Sequence, residues 1–239
     1  MSHEMFTIDE LSRHLGRDRR EIEKLASRGR IPGRKVGSVW QFQSMEITRW
    51  LEQEMRDYSS TQLRDVEVNQ RSDDVCSDLP VSSILDVETV QVPLKGRTRR
   101  SILEELVEVA GRTWQVWSPS DILKAVQDRE ELFSTAYPDG VAIPHPRNPL
   151  PNAHGQSIVA FGRTYSGIPF GAGHAGLTDL FFLVLCMDAK THLQIVARLG
   201  RMLQLPDFLD QLRETEDAGS AHAAICAADE QVAQQDRVG

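Results

Sequence analysis

Between residues 5 and 55 the apolar positions fall into short groups at helical spacing. Leu11 and Leu15 lie four apart, Ile22 and Leu25 three apart, and Ile47, Trp50 and Leu51 share one face. Thr7-Ile8-Asp9-Glu10 has the form of a capping box, in which the Thr oxygen and the Glu carboxylate satisfy orphan amides at a helix start. Gly16 ends that helix. After the second helix, Gly29, Pro32 and Gly33 break helical pattern, and RKVGSVWQF reads as two short strands turning at Gly37-Ser38. Ser44 is placed to cap a closing helix. The pattern predicts helix, turn, helix, hairpin, helix.

Residues 57–81 hold few large apolar side chains and many Ser, Asp, Gln and Asn, the composition of a flexible linker. From Ser82 the pattern alternates between elements. VETVQV has the β-branched content of a strand, and RSILEELVEVAG puts Ile102, Leu103, Leu106 and Val109 on one helical face ahead of Gly111. Ser118-Pro119 opens a helix that runs through Leu123 and Val126 to Arg129. SIVAFGRT and LTDLFFLVL are strands, the second apolar enough to be covered on both faces. Thr191 to Leu203 is a helix with a stripe of Leu193, Val196, Ala197, Leu199 and Gly200. The expected class is α/β, a sheet with helices on both faces, in a division of residues 1–56, a linker 57–81, a second domain 82–229 and a disordered tail 230–239.

A chain of 239 residues exceeds the usual single domain of roughly 100–200, which agrees with one ordinary domain and one small one. With 40% hydrophobic and 26% charged residues, the composition is globular. No apolar run approaches the ~20 residues of a membrane span, and the start MSHEMFTIDE lacks a basic and apolar leader, so no membrane insertion and a cytoplasmic location are expected. Cys76, Cys186 and Cys226 are far apart and odd in number, which fits free thiols rather than a disulfide framework or a zinc site.

Charge changes the picture more. The net charge is −8, yet residues 1–56 carry 11 basic against 9 acidic residues, and residues 13–35 carry nine against three. A basic segment on an acidic chain suits a polyanion.

Candidate chemistry centres on VAIPHPRNPLP, residues 141–151. Ala142-Ile143 reads as a buried strand end, Pro144 fixes the exit, and side chains just beyond strand ends of open sheets are commonly functional. Arg129 at a helix end, Ser134 and Thr135 on the connection, and Arg147 are placed to converge on His145. A neutral imidazole is a competent nucleophile near neutral pH, and guanidinium forks bind phosphoryl oxygens, so the set suits phosphoryl transfer or anion binding. His3, His14, His154, His174 and His222 read as surface residues.

Two resemblances follow from these residues. TIDELSRHLGRDRREIEKLASRGRIPGRKVGSVWQF with the closing ITRWL resembles the small winged helix-turn-helix domains of the excisionase and MerR-like class. The resemblance implies DNA contact through residues 1–56, with Arg17, Arg19, Arg20, Lys24 and Arg28 at the recognition helix and Arg34 and Lys35 at the wing. One such unit offers a small interface, so useful affinity calls for a homodimer or a partner.

REELFSTAYPDGVAIPHPR and MDAKTHLQIVARLGRML resemble the type-2 (fructose, mannitol and nitrogen-regulatory) IIA domain of the bacterial phosphoenolpyruvate-dependent phosphotransferase system, over about residues 82–229. The resemblance implies a mixed sheet sandwiched by helices. It implies that His145 accepts a phosphoryl group through Nε2 from the carrier HPr and passes it to a IIB domain or uses it to act on a regulated protein. Arg129 would stabilise the transferring oxygens, His192 would bind the phosphoryl group or orient His145, and Ser134, Thr135 and Arg147 would line the site. Such a protein is a phosphotransfer carrier with a phosphohistidine intermediate, and it needs neither a metal nor an organic cofactor. The position after the histidine is Pro146 here, where the family keeps Gly or Ala. Three functions are consistent with these parts: a regulatory IIA-like phosphocarrier with a DNA- or protein-binding output, a sugar-transport IIA component, and a DNA-binding accessory on an inert IIA scaffold.

Overall fold

The computed structural model describes residues 5–71, 79–171 and 176–238. The first unit follows the sequence closely. Strand β1 (Met5–Phe6) leads into α1 (Ile8–Leu15), whose capping box forms as expected and whose end is Gly16 in the left-handed conformation, φ 63°. Helix α2 (Arg19–Ser27) is capped by Asp18. The hairpin β2 (Arg34–Val36) and β3 (Val39–Gln43) turns at Gly37, also at positive φ, and β1 pairs antiparallel with β3. Helix α3 (Ser44–Glu54) begins one residue earlier than expected, with Gln43 rather than Ser44 at the cap position. Ile8, Leu11, Ile22, Ala26, Ile31, Phe42 and Ile47 close a small core.

Beyond a short turn at Met55–Asp57 the structure departs from the expected linker. Ser59 caps α4 (Ser60–Asn69) with a reciprocal Gln62 contact, and Leu63 and Val66 bury against Leu193, Val196 and Ala197. Three apolar side chains, Leu63, Val66 and Val68, cannot form a core alone, which is why the composition reads as a linker; here another helix supplies the missing surface. Gly200 allows the approach, since a Cβ there would lie 3.0 Å from Leu63. The polar residues of α4 are also used. Glu67 is fully buried and pairs with Arg198 at 2.8 Å and Arg201 at 2.7 Å.

The second unit has a four-stranded mixed sheet in the order β4 (Val90–Gln91), β6 (Ile158–Ile168), β7 (Thr178–Leu185), β5 (Val141–Ala142). The outer strands run parallel to their neighbours, and β6 and β7 are antiparallel. VETVQV gives a strand of only two residues, because Val87–Thr89 winds into a 3₁₀ turn capped by Asp86. Alternate residues of β6 and β7 face opposite layers. Val159, Phe161, Phe182 and Val184 pack towards α7 (Ala189–Leu203), α8 (Phe208–Glu214) and α9 (Ala218–Val238). Ile158, Ala160, Phe181 and Leu183 pack towards α5 (Arg99–Ala110) and α6 (Pro119–Leu132). The segment expected as a disordered tail is the end of α9, where Asp236 pairs with Arg201 at 2.6 Å and Arg64 of α4 at 3.0 Å. No helix among the described residues is long and apolar enough to cross a membrane.

Of the histidines expected at the surface, one is buried and another half-buried. His154 is fully enclosed, with Nδ1 2.8 Å from the Gln156 carbonyl. His14 stacks on Phe6, and burial, with the nearby Lys190 of α7, pulls its pKa down from 6.5 to about 4. A depressed folded pKa means that the neutral form stabilises the docked fold fully above pH 6.5, and that this is lost as the pH falls towards 4. The loss amounts to about 3 kcal/mol. Urea unfolding at pH 7 and pH 4.5 should therefore show a larger drop in the natural chain than in His14→Phe, which keeps the stacked ring without the charge. His222 is half-buried beside the Leu85 carbonyl, while His3, His174 and Cys76 lie outside the described residues. Cys186 and Cys226 are free thiols, and burial raises the Cys186 pKa to about 12.

Candidate functional site

His145 lies three residues after β5, and its loop is pinned where the Val184 amide donates to the Pro144 carbonyl at 2.9 Å. The residue is 5% exposed, and Nδ1 lies 2.8 Å from the Ile143 carbonyl oxygen. A carbonyl only accepts, so Nδ1 carries a proton and Nε2 points into the site. His192, in the first turn of α7, faces it with ring centroids 4.7 Å apart. Asp188 caps that helix, which fixes where His192 projects. Arg129, near the end of α6 and buried, donates through Nη1 to the Phe133 carbonyl at 2.8 Å, leaving Nη2 for the site.

The expected trio His145, His192 and Arg129 is thus brought together. A fourth residue, unforeseen in the sequence, stands among them: Glu52 of α3. Its Oε1 accepts from His192 Nε2 at 2.8 Å, and its Oε2 lies 3.3 Å from both His145 Nε2 and Arg129 Nη2. Burial by itself would raise the Glu52 pKa, but the charge and hydrogen bonds of the two histidines outweigh it and hold the carboxyl well below its usual range. Glu52 follows the apolar Leu51 on a helix whose other carboxylates are exposed, and nothing local distinguishes it.

Ser134 and Thr135 serve the site indirectly. Both hydroxyls donate to the buried Glu130 carboxylate, at 2.8 and 2.6 Å, which also takes the Thr135 amide and so shapes the connection between α6 and β5. Arg147 is exposed and lines a cleft of about 530 Å³ between α3 and the His145 loop, with Arg49, Leu132, Phe133 and Pro146. A carboxylate and two imidazoles are also a donor set for a divalent cation, and their ligand atoms lie within 4.8 Å of one another. The guanidinium of Arg129 is held against the same Glu52 oxygen, and its permanent charge opposes a cation there.

On the basic face, Arg17 precedes α2 rather than lying on it, and it is bound to Glu21 at 3.4 Å and the Tyr58 hydroxyl at 3.1 Å. Arg19 is paired with Asp9 at 2.6 Å. Arg20, Lys24, Arg28, Arg34 and Lys35 are exposed, and Lys35 lies over the Trp40 ring.

The family described as phosphoenolpyruvate-dependent sugar phosphotransferase system, EIIA 2, matches residues 83–227. The chain belongs to this family. Its first unit, residues 5–55, matches a helix-turn-helix domain. A nitrogen regulatory protein of Bradyrhizobium diazoefficiens is 29% identical over 150 residues, covering 62% of this chain and 95% of the relative. The fructose-specific EIIABC component of Bacillus subtilis is 23% identical over 58% of this chain, which spans only 22% of that protein. Among solved structures, the nitrogen regulatory protein IIA-Ntr from Neisseria meningitidis covers 61% of the chain and 98% of its own length at TM-score 0.54 and 24% identity. The complex of enzyme IIAMTL and phosphorylated enzyme IIBMTL from Escherichia coli covers 59% of the chain and 96% of the aligned partner at TM-score 0.52 and 18% identity. These likenesses establish the mixed sheet with its helical layers as a type-2 IIA fold, the expected class.

Proposed function

We propose that this chain is a regulatory IIA-type phosphocarrier that takes a phosphoryl group on Nε2 of His145 from an HPr-like phosphohistidine carrier and couples that event to a DNA-binding output through residues 5–55. The observation that supports it most is the tautomer of His145. With Nδ1–H committed to the Ile143 carbonyl, the lone pair of the neutral ring lies on Nε2, the nitrogen that faces the position now held by Glu52 between Arg129 and His192. That lone pair attacks the phosphorus, the carrier's P–N bond breaks, and its electron pair returns to the carrier's imidazole. Arg129 and His192 supply hydrogen bonds to the oxygens as charge redistributes, and no proton has to leave His145 Nε2. Pro146 donates no backbone N–H after the histidine, so stabilisation falls on these side chains.

Incubation with phosphoenolpyruvate, the first enzyme of the system and HPr tests the carrier role. A label expected on the natural chain and absent from His145→Ala supports it, and no label on the Glu52→Ala chain, whose site is open, contradicts it. The output is tested by gel shift against salt. Loss of each phosphate contact lowers the slope of log K against log salt by about one, so Arg34→Ala with Lys35→Ala should reduce it by about two. An unchanged slope would remove the wing from the interface.

A further inference from the structure

The helix-turn-helix unit and the phosphoryl site share one residue, and what it does there follows from its contacts. Both oxygens of the Glu52 carboxylate are in use, one against His192 and the other between His145 Nε2 and Arg129. These are the groups that would meet the oxygens of a phosphoryl group, and a carboxylate offers them the same charge-assisted acceptors. The neighbouring Arg56 closes the cover from the same segment. Its guanidinium lies 5.0 Å from the Phe133 ring and 5.1 Å from the Tyr137 ring, and it donates to the Ser134 carbonyl at 2.8 Å.

We propose that Glu52 is a built-in occupant of the phosphoryl site, so that seating of α3 and phosphorylation of His145 exclude one another. This rests on reading His145 as the acceptor. The exclusion has three physical causes. Glu52 Oε2 sits 3.3 Å from Nε2, in the place a phosphorus bonded to that nitrogen would occupy. The seated carboxylate also engages His192 Nε2 and Arg129 Nη2, the donors that a phosphoryl group on His145 would need. A phosphoryl group would also add about −1.5 to −2 charge beside a buried carboxylate. Phosphorylation therefore expels Glu52 and displaces α3, the helix that closes the core of the basic module. Conversely, whatever holds the module in another position, such as bound DNA, exposes the acceptor.

The test uses the full chain and a probe that needs no phosphocarrier. Diethyl pyrocarbonate modifies accessible neutral imidazoles, and peptide mapping reads the rate at His145. Glu52→Ala should raise that rate about tenfold or more. Arg56→Ala keeps the carboxylate but releases the end of α3, and should move the rate the same way; it provides the reading should Glu52→Ala lose its helical circular dichroism. Rates at His145 equal in the natural chain and both variants would overturn the proposal. Phosphoryl labelling from phospho-HPr should accelerate in Glu52→Ala by a similar factor. Modification that depends on Glu52, with no label in any variant, would keep Glu52 as the occupant of the site and overturn the carrier reading instead.

Discussion

Glu67→Ala should cost about 3–5 kcal/mol of stability, the largest loss expected from any single substitution between the two units. Glu67 is wholly buried, and its two oxygens face Arg198 and Arg201, both also buried. Arg198 has a second carboxylate in Asp229, at 2.7 Å, and Arg201 has Asp236, at 2.6 Å. Removing Glu67 leaves two guanidinium groups facing one another across a dry interface with half their compensation gone. The cost comes from buried guanidinium N–H groups left without their Glu67 acceptors rather than from the net worth of the pair, which desolvation reduces. Glu67→Gln should be milder, because the amide oxygen can still accept one bond. Urea denaturation followed by circular dichroism measures both. A Glu67→Ala loss below about 1 kcal/mol, the level of an exposed pair, would mean that α4 is not packed on α7.

The second large effect concerns Arg129. Arg129→Ala should slow phosphoryl transfer to His145 by about two to three orders of magnitude, as removal of one preorganised donor to developing charge does elsewhere. Because Arg129 also holds Glu52, the comparison belongs in a Glu52→Ala background, where loss of the guanidinium cannot be confused with release of α3. Arg129→Lys should recover only part of the rate, since an ammonium cannot both reach the Phe133 carbonyl and present a second donor to the site. Single-turnover labelling with phospho-HPr reads this directly. A rate within about threefold of the parent would remove Arg129 from the transfer step.

How far the sequence disclosed these features depends on how local each one is. The capping box at Thr7, the left-handed Gly16, the turn at Gly37 and the apolar run of β7 are decided by neighbours in the chain, and they form as their pattern predicts. His145, His192 and Arg129 were legible because their spacing repeats a family pattern, and the fold brings them together. Helix α4 was not legible. Its apolar face is too small to specify a helix alone, and it is completed by α7, more than 120 residues away in sequence. Glu52 was hidden for the same reason. A glutamate on an amphipathic helix is ordinarily a solvated charge, and only the arrival of two imidazoles and a guanidinium from other elements makes burial tolerable. Ser134 and Thr135 show the reverse. The sequence placed them near the acceptor, and the structure spends their hydroxyls on Glu130.

The most direct measurement is localisation of the phosphoryl group by peptide mass spectrometry at alkaline pH, where phosphohistidine survives, after transfer from phospho-HPr to the Glu52→Ala chain. The group is expected on the peptide carrying His145, with none on that carrying His192. A phosphoryl group on His192, or on neither histidine, would contradict the account.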